Sequence, residues 1–164
     1  MRKIMFAVIM LTAAIFTVSC DDDRAPKSTR NAFNDQYPNA VDVDWDRKHG
    51  YSVAEFHIAG QWGECEAWYD KSGNWVMTKY DIRYNDLPAA VQTSFETEFG
   101  KQTPVADVER LERKNADTIY FIEATIAING YPAEVYLDYA EDGTLLRTSA
   151  DIEDYDNVYY YLPL

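Results

Sequence analysis

The chain is poor in the residues from which most sites are made. Its 164 residues include only two cysteines, Cys20 and Cys65, and two histidines, His49 and His57. Cys20 closes an N-terminal apolar run and reads below as a lipidated residue, which leaves Cys65 without an intramolecular partner and the chain without a disulfide framework. Cations are scarce as well: 15 Lys and Arg stand against 28 Asp and Glu, for a net charge of −13. Such a chain repels phosphate backbones, and no basic run overrides this, which excludes nucleic acid as a partner. The apolar stretch from Ile4 to Val18 is 15 residues long, short of the ~20 that a membrane-spanning helix needs.

What the N-terminus does contain is an address. Arg2 and Lys3 precede the apolar stretch, and the small residue Ser19 follows it, directly before Cys20. This is the layout of a secretory signal peptide, residues 1–19. The junction "TVSC" resembles the bacterial lipobox, in which the cysteine is acylated and becomes the first residue after cleavage. By that resemblance Cys20 carries acyl chains, each buried methylene contributing about 0.8 kcal/mol of membrane attachment. The acidic tether 20–27 opens with Asp21, Asp22 and Asp23, which resemble the export signal that places some lipoproteins on the outer cell surface; the alternative is a plain solvated spacer on a periplasm-facing anchor. Loss of residues 1–19 removes Arg2 and Lys3 and takes the net charge from −13 to −15.

The remainder reads as one unit written twice. "YDKSGNWVMTKYDI" (69–82) parallels "YAEDGTLLRTSADI" (139–152), and "NAFNDQYP" (31–38) parallels "TSFETEFG" (93–100). Matching positions fall at turn and core residues, which predicts repeats over 28–85 and 86–152, followed by a tail, 153–164. Each repeat opens with a short helix. Phe33 and Tyr37 form the stripe of the first, with Ser28 as its cap; Val91, Phe95 and Phe99 form that of the second, with Asp86 as cap, Pro88 in the first turn and Gly100 at the end. Four strands follow in each, joined by hairpin turns such as "DKSG", "INGY" and "AEDG".

The run "ECEAWYDKSGNWVMTKYDIRYNDLPAAVQTSFETEF", with a lipobox upstream and a weaker copy downstream, resembles the PepSY-like, β-lactamase-inhibitor-like family of small bacterial lipoproteins. The resemblance implies an α+β fold, a tandem of helices each packed on a four-stranded antiparallel meander, whose sheets can be continuous. It implies no catalytic activity.

Turn lengths set an expected register. A two-residue turn at Gly60 and Gln61 pairs Phe56 with Cys65, Ala54 with Ala67, Glu55 with Glu66 and His57 with Glu64. Cys65 then shares the helix-covered face and serves as a small buried hydrophobe. The "DKSG" loop is expected to set Ala67 opposite Val76 and Cys65 opposite Thr78, with Leu137 opposite Leu146 in the second repeat. The outer face then carries Trp68 beside Trp75, Glu66 beside Met77, Glu64 beside Lys79 and Tyr136 beside Arg147. These residues are the candidate partner-binding surface, unless the tail "YDNVYYYLPL" or a neighbouring sheet screens them.

Three further patterns bear on chemistry. Strand alternation puts His57 on the face away from Cys65, which excludes a Cys–His nucleophilic pair. Asp42, Asp44 and Asp46 alternate as calcium-loop ligands do, but Arg47 stands where the loop glycine belongs and Val53 where the closing glutamate belongs, so a solvated strand is the simpler reading. Asp151, Glu153, Asp154 and Asp156 could hold calcium loosely, or simply form an acidic turn. No cofactor is expected. The leading functional reading is a lipid-anchored, non-enzymatic module that binds an envelope protein, a restrained hydrolase or peptidase included. A carbohydrate-binding surface protein using Trp62, Trp68 and Trp75, and a structural envelope component, are the alternatives.

Overall fold

Prolines, rather than polar caps, start both helices. α1 (Lys27–Gln36) follows Pro26 and α2 (Ala89–Phe99) follows Pro88; proline's fixed φ suits the extended entry into a first turn. Ser28 thus lies inside α1 instead of capping it. Asp86 closes the preceding 3-10 turn, Tyr84–Asp86, where its carboxylate accepts the Arg83 N–H at 3.3 Å. Gly100, at φ 94°, ends α2 as its position after the apolar stripe requires. The computed structural model describes residues 25–150 and 157–163. Cys20, Asp21, Asp22, Asp23, Asp151, Glu153, Asp154 and Asp156 lie outside the described residues.

Eight strands follow the helices in chain order: β1 (Ala40–Lys48), β2 (Tyr51–Ile58), β3 (Glu64–Tyr69) and β4 (Trp75–Asp81) after α1, then β5 (Val105–Arg113), β6 (Ala116–Ile128), β7 (Tyr131–Ala140) and β8 (Leu145–Ala150) after α2. They form one antiparallel sheet in sequence order. The units expected from sequence do not stand apart as two sheets, because β4 pairs with β5 from Met77 opposite Arg113 to Asp81 opposite Glu109. No helix among the described residues is long and apolar enough to cross a membrane.

Both helices lie on the same face. Phe33 of α1 packs on Ala54, Phe56, Cys65, Ala67 and Tyr69, with its ring edge-on to Phe56 at 4.9 Å. Val91 and Phe95 of α2 pack on Val108, Ile122, Leu137 and Tyr139. Burying each such side chain contributes about 1.5–3 kcal/mol. Two turns complete the helix seating: a Cβ on Gly73 would come within 3.0 Å of Thr29 Oγ1, and one on Gly143 within 2.6 Å of the Ala90 carbonyl oxygen.

The β2–β3 register is the expected one, from Ala54 opposite Ala67 to His57 opposite Glu64. The β3–β4 register is not: Ala67 faces Thr78, Cys65 faces Tyr80, Glu66 faces Lys79 and Trp68 faces Met77. In β7–β8, likewise, Leu137 faces Thr148, Tyr136 faces Ser149 and Asp138 faces Arg147. The cause is a bulge in each hairpin. Asp70 accepts the N–H groups of Ser72 and Asn74, fixing a tight turn that pairs Tyr69 with Trp75 and leaves Val76 as the extra residue. The bulge carries Trp75 to the helix face, where its indole N–H donates to Thr78 Oγ1 at 2.7 Å, and carries Val76 to the other.

Candidate binding surface

The helix-free face of the sheet divides into a covered half and an open half. The covered half holds Val53, Trp68, Met77, Leu111, Ile119 and Phe121, all at 3% exposure or less. Over it lies the C-terminal 3-10 segment Asn157–Tyr161, whose Val158 is fully buried and whose Tyr159 stands edge-on to Trp68 at 5.8 Å. Trp68 and Met77, expected to be presented to a partner, are therefore core residues beneath the tail. Trp75 is on the opposite face. Arg147 is on the outer face as expected, but its Nε donates to the Asp138 carboxylate at 2.7 Å and its guanidinium stacks on Tyr160 at 4.5 Å.

The open half continues along the same strands. β2 contributes Glu55 and His57, β3 Glu64 and Glu66, β4 Lys79 and Asp81, β5 Asp107 and Glu109, and β6 and β7 Glu123 and Tyr136, which face each other. Glu66 is not offered to solvent. It is 5% exposed and bonded to the Lys48 ammonium, which also reaches Glu55 at 2.9 Å; its second oxygen is 3.7 Å from Lys79, an ion pair too long for a hydrogen bond. Burial opposes the charge on Lys48, but hydrogen bonds to Glu66 and Glu55 outweigh it and raise the pKa above the ordinary lysine value. Glu64, by contrast, is exposed.

Asp81, Asp107 and Glu109 bring carboxylate oxygens within 4.8 Å of one another, a donor set that could take a hard cation. Lys79 already meets Glu109 at 3.0 Å. Burial, which outweighs the hydrogen bond from the Glu64 N–H, with Asp107 nearby, pushes the Asp81 carboxyl above its usual range. This cluster was not anticipated from sequence, because it forms only when β4 and β5 pair across the two halves. Asp42, Asp44 and Asp46 do not converge: Asp42 has φ 53°, and Asp44 and Asp46 accept the N–H of the residue that follows each.

At the end of the sheet beside this acidic half lie most of the exposed large apolar side chains: Val41 and Val43 at the start of β1, Trp62 in the β2–β3 loop at 54% exposure, and Ile128 and Tyr131 at the β6–β7 tip, Tyr131 at 75%. The β6–β7 hairpin runs on to Ile128 opposite Tyr131, beyond the last pairs that β5 and β8 make with it. Trp62, Trp68 and Trp75 form no common stacking platform, since one is in a loop, one under the tail and one against α1. His57 is exposed on the outer face, away from Cys65, whose thiol is pushed up to about 11 by burial. His49 sits in the β1–β2 turn, edge-on to Tyr159 at 4.3 Å.

Residues 61–147 match the family model described as "Putative beta-lactamase-inhibitor-like, PepSY-like". The chain belongs to this family. Among solved structures, the PepSY-like chain is similar to a BLIP-like protein from Bacteroides fragilis, at 30% identity and a TM-score of 0.70, covering 83% of this chain and 96% of that one. It is also similar to a DUF2874 family protein from Bacteroides ovatus, at 26% identity and a TM-score of 0.75, covering 86% of this chain and 99% of that one. It shares its fold with a structure named "putative periplasmic proteins" from Bacteroides eggerthii, at 23% identity and a TM-score of 0.72, covering 83% and 95%. No curated protein matches the sequence. The family description is inhibitor-like and names no catalytic chemistry.

Proposed function

We propose that this PepSY-like chain is a non-enzymatic protein-binding module of the bacterial envelope, and that the open acidic half of the outer sheet face, with the tips carrying Trp62 and Tyr131, receives the partner. The observation that carries this is the pairing of a carboxylate-rich surface with exposed aromatic residues at one end of the sheet, while the other half of that face is already covered. Aromatic anchors beside a polar field are the composition of protein interfaces, and the charge selects a partner with a basic surface. A restrained hydrolase or peptidase is one such partner, in keeping with the inhibitor-like family description. The halves 28–85 and 86–152 are inferred to be two copies of one unit, on the parallel order of their elements.

The N-terminal layout supports attachment to the outer membrane through lipid on Cys20, with Asp21, Asp22 and Asp23 directing the choice between the cell surface and the periplasm. The periplasmic description of the Bacteroides eggerthii relative agrees with an envelope site. Photo-crosslinkers placed at Glu64 and Tyr131 in living cells are expected to trap one common protein. That protein, purified, should bind a variant with two exposed outer-face carboxylates reversed, Glu64→Lys on β3 and Glu134→Lys on β7 two residues from Tyr136, at least ~10-fold more weakly, an effect diminished by salt. Equal binding to wild type and variant at low salt would overturn the reading. In the same cells Cys20→Ala should leave the membrane fraction; retention there with residues 1–19 still attached would refute the lipid anchor.

A further inference from the structure

Of the asparagines in the chain, Asn129 alone is followed by glycine. The pair forms the two-residue turn of the β6–β7 hairpin, between Ile128 and Tyr131, which face each other. Asn129 has φ 53° and Gly130 φ 84°. Two left-handed residues in succession are what such a turn requires, and asparagine followed by glycine adopts them at least cost. The turn therefore selects, for conformational reasons, the dipeptide whose two members also react with each other most readily.

The surroundings leave that pair open to water. Residues 127–132 are exposed except where they face one another across the hairpin. The last pair that β5 makes is at Ala124 and the last that β8 makes is at Val135, so the hairpin end has no flanking strand. Pro132 has no N–H to offer a third strand on that edge. A Cβ on Gly130 would meet nothing within 4 Å, so nothing packs on the turn. The Asn129 side-chain amide has no hydrogen-bond partner among the described residues; Asn74, in the β3–β4 turn, is by contrast held by Asp70 Oδ2 at 2.9 Å. An exposed hairpin end without neighbours opens locally at little cost, independently of the sheet behind it.

We propose that Asn129 is a site of spontaneous covalent modification in the folded protein. When the turn opens, the backbone nitrogen of Gly130 attacks Asn129 Cγ. The N–Cγ bond forms, the Cγ–Nδ2 bond breaks, and the amide leaves as ammonia with the proton from the Gly130 N–H. Water then opens the resulting five-membered imide at one carbonyl or the other, giving aspartate or isoaspartate. Glycine permits the attack because no Cβ shields its nitrogen. Both products add one negative charge at the tip. Isoaspartate also adds one carbon to the backbone path, which a two-residue turn cannot accommodate, so Ile128 and Tyr131 lose their register. The consequence for function rests on the reading proposed above: the aged tip no longer presents Tyr131 to the partner.

The chain carries its own control. Asn115, in the β5–β6 turn, is exposed and left-handed at φ 58°, but the next residue is Ala116. The purified full chain, held for days in mildly alkaline buffer without denaturant and mapped by mass spectrometry, should convert Asn129 to the acid at least ~10-fold faster than Asn115, and Gly130→Ala should remove the difference. Equal rates at the two asparagines would overturn the proposal. Conversion of Asn129 in urea but not in native buffer would overturn it as well, because the folded turn would then hold the two groups apart. The effect on the tip is read by hydrogen exchange: the isoaspartate form, separated by anion exchange, should exchange the Ile128 and Tyr131 amides faster than the parent, with β2 and β3 unchanged. Asn129→Asp, which carries the charge on a normal backbone, should exchange as the parent does. Unchanged exchange in the isoaspartate form would refute the loss of register. None of these readouts needs a partner, so their failure is distinct from failure of the binding surface.

Discussion

At the residue scale, side-chain type alone misleads where alternation is broken or a distant segment returns. Phe56, Cys65 and Ala67 were legible as core from strand parity, and the thiol of Cys65 is indeed a buried small group. Trp68 was legible as an outer-face residue but not as a buried one, since its cover comes from residues about 90 positions later. Asp81 shows the reverse: its neighbours, not its own sequence context, set its chemistry. Burial raises its folded pKa above the ordinary 3.8, with Asp107 adding to the shift. A raised carboxyl favours the protonated folded state, so its contribution is full below the unfolded pKa and is lost as pH rises through the folded value. Asp81→Asn, which retains an oxygen for the Glu64 N–H, is therefore expected to raise Tm at pH 7 and to change it little below pH ~3.5, where Asp81 is protonated in both states. Thermal unfolding followed at both pH values checks this; a larger gain at the acid end would contradict it.

At the element scale the strands were legible from alternation and turn chemistry, within a residue or two except for β1, expected over 41–45 but running on to Lys48, and the helices from their apolar spacing. The hairpin registers β3–β4 and β7–β8 were not, because counting along a turn assumes no bulge. The error is two residues in pairing, which preserves parity: Met77, Lys79, Thr78 and Tyr80 keep their expected faces, while Trp75 and Val76 exchange theirs. The turns themselves carry a second constraint invisible in sequence, their contact with the helices. Gly130 and Gly143 share almost the same backbone, φ 84° and 86°, but a Cβ at Gly130 meets nothing within 4 Å whereas one at Gly143 meets Ala90 O at 2.6 Å. Gly130→Ala should cost only the left-handed strain, about 1–2 kcal/mol. Gly143→Ala should cost clearly more, because α2 must shift from its turn. Urea unfolding of the two variants decides it, and equal losses would mean that the turn and helix do not press on each other.

At the scale of the whole molecule the question is whether two similar halves behave as two domains. Each half has its own helix-side core, one around Phe33 and one around Phe95, which taken alone favours independence. Three features join them. β4 and β5 share a five-pair ladder, the Arg110 guanidinium of one half stacks on the Tyr80 ring of the other at 4.5 Å, and the outer-face core mixes Val53, Trp68 and Met77 with Leu111, Ile119 and Phe121. That mixed core cannot be completed by either half. A fragment ending at residue 86 would expose Trp68 and Met77 and leave β4 as an unpaired edge, a template for aggregation. Cooperativity across the seam follows, since loss of one half uncovers apolar surface on the other. Residues 25–164 are expected to unfold in urea as one transition, with tryptophan fluorescence, dominated by the first half through Trp45, Trp62, Trp68 and Trp75, coinciding with far-ultraviolet dichroism, which samples both. Leu111→Ala, at the seam but in the half without tryptophan, should lower the midpoint of both signals together, by about 2–5 kcal/mol of stability. A dichroism curve that moves while the fluorescence curve stays would show that the continuous sheet is two folding units laid edge to edge.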